Sequence, residues 1–112
     1  MTDLLEAMYA DSGIKFSELR VDGGASVSNI MLQIQADLIQ TKVDRPVTVE
    51  TTALGAAYLA GMAVGFWKDR NEIQTNRQID RVFEPQMSKE ERDRLYSGWK
   101  RAVERAKGWA LD

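Results

Sequence analysis

A chain of 112 residues is long enough for one hydrophobic core and too short for two full domains. It carries 15 Lys and Arg against 17 Asp and Glu, so no general field draws it to nucleic acid or to an anionic membrane, and nucleic-acid binding is not expected. With no cysteine and no histidine, disulfides, Cys/His zinc centres, Cys–His nucleophile pairs and Ser–His–Asp triads are excluded.

The first elements read clearly. Leu4, Leu5, Met8 and Tyr9 recur at helical spacing over residues 2–12, and Gly13 supplies the stop. The opening "MTDLLEAMYADSG" carries acids where a signal peptide needs an apolar core, so a cytoplasmic location is the expectation. Residues 16–21, "FSELRV", form a short strand candidate that runs into two glycines, "VDGGAS". A helix is expected over residues 29–40, where Ile30, Ile34 and Leu38 fall on one line. Met31, Leu32 and Ile39 widen that face enough to predict a mostly buried helix.

"VDRPVTVE" is the next connection. Pro46 disfavours helix at Arg45, and Val47 and Val49 alternate with polar residues as a short edge strand would. Thr51 or Thr52 can cap the helix that follows. The uncharged run "TTALGAAYLAGMAVGFW" is shorter than the roughly 20 residues a membrane span needs, and its Ala and Gly content predicts a buried helix instead. Gly55, Gly61 and Gly65 would each cost about 1 kcal/mol against alanine in an exposed helix, which points to another backbone or a ligand nearby. Beyond Lys68 the chain is polar, with a weak strand over residues 79–83 ended by Pro85. Ser88 and Glu91 then make a capping-box signature for a last helix. Leu95, Trp99, Ala102, Val103, Ala106 and Trp109 form its apolar stripe, with alternating charges elsewhere. The three tryptophans, Trp67 included, are expected in the core or at an interface.

The glycine corner is the stretch most able to bind something. A strand that ends in Gly-Gly and turns into a helix presents free backbone amides with no side chain in the way, which favours a phosphate or a polar nucleoside edge. The pattern lacks the Lys-Ser/Thr of a Walker loop and the third glycine of a dinucleotide fingerprint, and a plain strand-to-helix turn also explains it. Asp22 reads as a carboxylate bonded to the corner amides, or as a metal or hydroxyl partner. Arg20 and Arg45 read as surface partners of nearby acids, with phosphate contact as the other option.

"LRVDGGASVSNIMLQIQADLIQTKVDRPVTVETTALGAAYLAGMAVGFW" resembles the carboxy-terminal region of the glycerol kinases, carbohydrate kinases of the actin-like, ribonuclease-H-like ATPase fold. The resemblance runs on to "YSGWKRAVERAKGW" and so covers essentially all of residues 1–112. It implies an α/β, helix-rich part of the second actin-like domain, with about four helices and two or three short strands. It implies a cytoplasmic parent enzyme that transfers the γ-phosphoryl of ATP, with Mg, to glycerol, and that forms a homo-oligomer. "VDGGAS" matches the family's adenosine motif, so the resemblance assigns nucleotide contact to Gly24, with Gly23 and Ala25 beside it. The position four residues later, commonly asparagine in the family, is Ser28 here and is followed by Asn29. The contact then falls to Ser28, to Asn29 or to a bridging water. The resemblance places the glycerol-binding residues, the general-base aspartate and the phosphate loops outside the matched region. No catalytic or metal-ligating residue is therefore expected in this chain, which alone should be inactive. A related polyol or sugar kinase, and a non-catalytic interaction module, are the other readings.

Overall fold

The computed structural model describes residues 1–110. In chain order it holds α1 (Thr2–Ser12), β1 (Glu18–Arg20), a 3-10 turn (Gly24–Val27), α2 (Asn29–Ile39), β2 (Lys42–Pro46), α3 (Thr51–Ala63), α4 (Arg70–Thr75), β3 (Ile79–Phe83) and α5 (Lys89–Ala106). The strands form one sheet in the order β1-β2-β3, with β1 parallel and β3 antiparallel to β2. This is the expected α/β, helix-rich partial domain.

The central strand differs from the expected edge strand. It lies before Pro46, not after it, because Val43 is the residue the core takes: it is fully buried and pairs with Leu19 and Phe83. Pro46 closes the strand at a register irregularity, where a missing N–H costs least. α2 crosses one face of the sheet and buries Leu32 and Ala36 against Val43 and Phe83, with Leu19, Val21 and Ile39 packed around them. The apolar face of α2 is wider than the sheet can cover. Ile30 is 76% exposed and Ile34 50%, so the mostly buried helix expected from the pattern is buried along one line only.

α3 departs further from expectation. Its residues are exposed or half-buried throughout despite their apolar character. Thr51 does not cap it; the N-cap residue is Glu50, and the Thr51 hydroxyl turns to Asp22. The three glycines also separate. A Cβ at Gly61 would collide with the Trp67 ring, which folds back edge-on to Tyr58 and Phe66. Gly65 takes a left-handed φ of 76°, whereas Gly55 faces open space. The close neighbour predicted for these glycines is therefore Trp67, and only at Gly61.

α4 was not expected. Asp69 caps it by accepting from the amides of Asn71 and Glu72 at 2.9 and 3.0 Å, while Glu72 reaches back to the Lys68 amide at 2.7 Å. "DRNE" is thus a capping signal like "SKEE", hidden by the polar run around it. At α5 the Ser88 hydroxyl accepts from the Glu91 amide as predicted, but the Glu91 carboxylate pairs with Arg94 instead of completing the box. Tyr96 is the buried residue of α5; Trp99 and Trp109 are 55% and 87% exposed, so of the two expected places, core or interface, the core is not where they lie.

α1 is fastened to α5 by polar bonds more than by packing. The Tyr96 hydroxyl lies 2.6 Å from Asp3 and 2.9 Å from Glu6, and the Trp99 indole donates to Asp3 at 2.8 Å. Arg92 donates to the Leu38 carbonyl at the end of α2, pairs with Glu6 and lies over the Tyr96 ring. Asp37, buried on α2, accepts from the amides of Gln86 and Met87 and so pins the link into α5.

The chain is extended for its length. Its radius of gyration is 18.1 Å, against about 13 Å for a compact domain of this size. Faces bearing Ile30, Ile34, Leu59 and Phe66 are uncovered as a result. The isolated chain is expected to self-associate as its concentration rises, read by light scattering; a monodisperse monomer at high concentration contradicts this.

The bonds from Tyr96 and then Trp99 hold the Asp3 carboxyl below its ordinary value. A depressed folded-state pKa contributes stability above the unfolded value, about 3.9, and that contribution is lost as pH falls through the folded value. α1 should therefore loosen from α5 below about pH 4, seen as faster amide exchange in α1 than in α2. Equal acid responses in the two helices would contradict this.

Candidate functional site

β1 and β2 run parallel, and the glycine corner follows β1 at its carboxyl end, where ligands of α/β sheets commonly sit. The Val21 amide still belongs to the ladder and donates to the Asp44 carbonyl at 3.0 Å. Gly23 then turns the chain with φ 81° and ψ 169°, a conformation that L side chains rarely adopt. Its amide donates to the Val49 carbonyl at 2.8 Å, and its carbonyl accepts from both the amide and the hydroxyl of buried Ser26, at 3.0 and 2.7 Å.

The residues after Gly23 form a 3-10 turn before α2 begins, so the corner does not open directly into the long helix. Gly24 starts that turn. It is exposed, and a Cβ built there would meet nothing within 4 Å, so one side of the corner is open. The first amides of such a turn have no partner within it. Ala25 is also exposed. Ser28 ends the turn and caps α2, its hydroxyl accepting from the Met31 amide at 3.3 Å; Asn29 is the first residue of α2 and is exposed. The Ser28 oxygen is thus already engaged in holding the helix start.

Of the readings open to Asp22 the structure takes the hydroxyl partner, and Arg45 does more than pair with a nearby acid. The Asp22 carboxylate receives the Thr51 hydroxyl, joining the corner to the start of α3; it does not bond the corner amides, because the Gly23 amide goes to Val49. Arg45 is not a plain surface partner. Besides its pair with Asp80 it donates to the carbonyls of Ser26 at 3.0 Å and Val27 at 3.1 Å, from a side chain only 12% exposed. Arg20 does behave as expected and pairs with Glu18.

Beside the corner, on the Asp22 side, lies a cleft of about 510 Å³ lined by Val21, Pro46, Thr51, Leu54, Tyr58 and Arg77, among others. Neither Gly23 nor Gly24 lines it, so the open face of Gly24 and the cleft are neighbours and not one pocket. Arg77 at its wall pairs with buried Asp44 at 2.7 Å, a bond that raises its guanidinium pKa still further above its ordinary value. Among the described residues no group of three acidic side chains is placed to hold a metal ion, and no helix is long and apolar enough to cross a membrane.

Residues 1–64 match the model of the C-terminal domain of the FGGY family of carbohydrate kinases. The chain belongs to this family. Among FGGY relatives it is 63% identical over 108 residues to a glycerol kinase of Caldanaerobacter subterraneus, covering 96% of this chain and 22% of that protein. A glycerol kinase from Plasmodium falciparum, solved with ADP, superposes with a TM-score of 0.82 and 32% identity, over 95% of this chain and 21% of the other. A xylulose kinase from Lactobacillus acidophilus shares the fold, with a TM-score of 0.73 at 21% identity over 99% of this chain and 23% of the other. The chain thus spans about a fifth of the length of these FGGY relatives.

The two glycines are expected to respond oppositely to alanine. Gly23→Ala should cost about 1–3 kcal/mol, because φ 81° with ψ 169° lies in a region that essentially only glycine adopts. Gly24→Ala, in open space with a right-handed backbone, should be neutral or gain about 0.4–1 kcal/mol by restricting the unfolded chain. Urea unfolding measures both, and equal losses would contradict the assigned corner geometry.

Proposed function

We propose that this chain supplies the adenosine wall of the nucleotide site in a glycerol kinase, as the carboxy-terminal part of its second actin-like domain. The parent reaction is then glycerol plus ATP giving sn-glycerol 3-phosphate and ADP. The observation that carries the reading is the open face at Gly24, within a "VDGGAS" stretch that matches the family's adenosine motif. High identity to glycerol kinases favours glycerol as the substrate class, whereas the likeness to xylulose kinase is one of fold alone.

The residues present fit one end of the nucleotide. Gly24 and Ala25 offer main chain that a flat ring or ribose can approach, Gly23 sets the turn, and Ser28 and Asn29 stand at the start of α2. Mg-ATP, when bound, supplies the transferable γ-phosphoryl group. Transfer needs charge stabilisation around that group and a base on the accepting hydroxyl. No residue of this chain is assigned those tasks. The chain alone is accordingly inactive, and the parent enzyme works in the cytoplasm as a homo-oligomer.

Ser28 stands where the family commonly has asparagine. Asparagine caps helices as well as serine does, so Ser28→Asn should leave stability within about 0.5 kcal/mol while strengthening nucleotide binding. The test is a titration of Mg-ADP into the chain, followed by amide shifts. Movement at Gly23, Gly24 and Ser28, stronger for Ser28→Asn, is the expected result. Absence of shifts in both proteins, or ATP-dependent glycerol phosphorylation by the purified chain, would sink the reading.

A further inference from the structure

Within the glycine corner the bonds are short-range, from Ser26 to the Gly23 carbonyl and from the Ser28 amide to the Ala25 carbonyl, and none ties it to the sheet. Gly23 and Gly24 carry no side chains, and a 3-10 turn of four residues has too few internal bonds to be rigid. Beyond the Asp22–Thr51 bond that precedes it, two outside anchors hold the turn itself. The Gly23 amide is tied to the Val49 carbonyl above, at 2.8 Å. Arg45 holds the far end of the turn, where one nitrogen, Nη1, donates to the carbonyls of both Ser26 and Val27.

Arg45 is itself held on three sides. Its Nε and Nη2 contact Asp80 Oδ2 on β3 at 2.8 and 2.6 Å. Its guanidinium lies 5.4 Å from the centre of the Phe83 ring, a core side chain. Its backbone belongs to the central strand. A guanidinium presents its donors in a rigid planar fork, so it can grip two carbonyls and a carboxylate together; an ammonium on a flexible stem cannot match that geometry. The cation also meets the carbonyl end of the turn, where partial negative charge collects, and leaves the amide end open.

We propose that Arg45, braced by Asp80, is a positioning residue for the corner: it locks the 3-10 turn so that the amides of Gly24 and Ala25 face a ligand in one fixed arrangement. Arg45 acts through the turn's carbonyls and does not itself touch the ligand. The consequence for nucleotide binding rests on the reading given under Proposed function; the locking of the turn does not.

The experiment therefore has two arms, both on this chain. The first follows amide hydrogen exchange with no ligand present. Arg45→Met should speed exchange at Ser26 and Ser28 by about tenfold, the effect of losing a charge-assisted hydrogen bond, while Ala36 in α2 is unchanged. Arg45→Lys should restore part of the protection. Asp80→Asn, which keeps the guanidinium but weakens its brace, should give an intermediate effect and serves if Arg45→Met does not fold. Unchanged exchange at Ser26 and Ser28, or equal acceleration at Ala36, overturns the assignment.

The second arm titrates Mg-ADP. A dissociation constant raised about tenfold in Arg45→Met, with the same ordering among the variants, is expected. Equal affinity in Arg45→Met and the unsubstituted chain overturns the positioning role toward ligand. No response to Mg-ADP in the unsubstituted chain, with the exchange effect intact, removes the nucleotide reading and leaves the locked turn standing.

Discussion

The structure depends on β2. This five-residue strand sends Val43 into the core, Asp44 to Arg77, and Arg45 to the glycine corner, so one short segment serves the hydrophobic and the polar frameworks together. Alternation of side chains along a strand makes this possible, since neighbours point to opposite faces. A slip of one residue would bring Lys42 or Asp44 to the core position of Val43 and turn Arg45 to the opposite face, dissolving the corner's anchor. Pro46 at the strand's end, beside the irregularity in the pairing with β3, guards against such a slip by removing a donor from the ladder.

The rest of the molecule is attached with unequal strength. α2 has the packed core; α1 and α5 are joined through Asp3, Glu6, Arg92, Tyr96 and Trp99, in a cluster of charged and aromatic groups. Burial and the two adjacent carboxylates raise the Tyr96 hydroxyl above its ordinary pKa. α3 has little beyond Trp67 on one side and the Thr51–Asp22 bond at its start. Its apolar surface is that of a helix meant for close packing, yet a three-stranded sheet has no second face of the necessary width to offer it. The family relationship and the short share of its relatives that the chain spans fit this imbalance.

Much of the architecture was legible along the chain. α1 with its Gly13 stop, the start of α2, the strand over residues 79–83 and the Ser88 cap all rest on signals confined to a few neighbouring residues. The errors share a cause as well. The period of α2 and α3 reported how apolar those helices are, not which partner covers them, so burial was overestimated. α4 lacks an apolar period to mark it, and its Asp69 cap sits in a polar run. Val47 and Val49 alternate after Pro46 as a strand would, whereas the core takes Val43, before it.

At the candidate site the division is sharper. The sequence alone determined that the chain turns at the Gly-Gly pair, where bare backbone is offered, and that a helix begins at Asn29; that Gly23 is the one with positive φ came from the structure. The sequence determined the family too, through the order and spacing of its motifs. Only the tertiary structure decided what holds the corner. Arg45 reaches Ser26 across 19 positions and Asp80 across 35, and Asp22 meets Thr51 across 29. No periodicity or cap signal spans such separations. Those bonds exist because strand pairing sets β1 and β3 on either side of β2, and charged groups half-removed from water must find partners there.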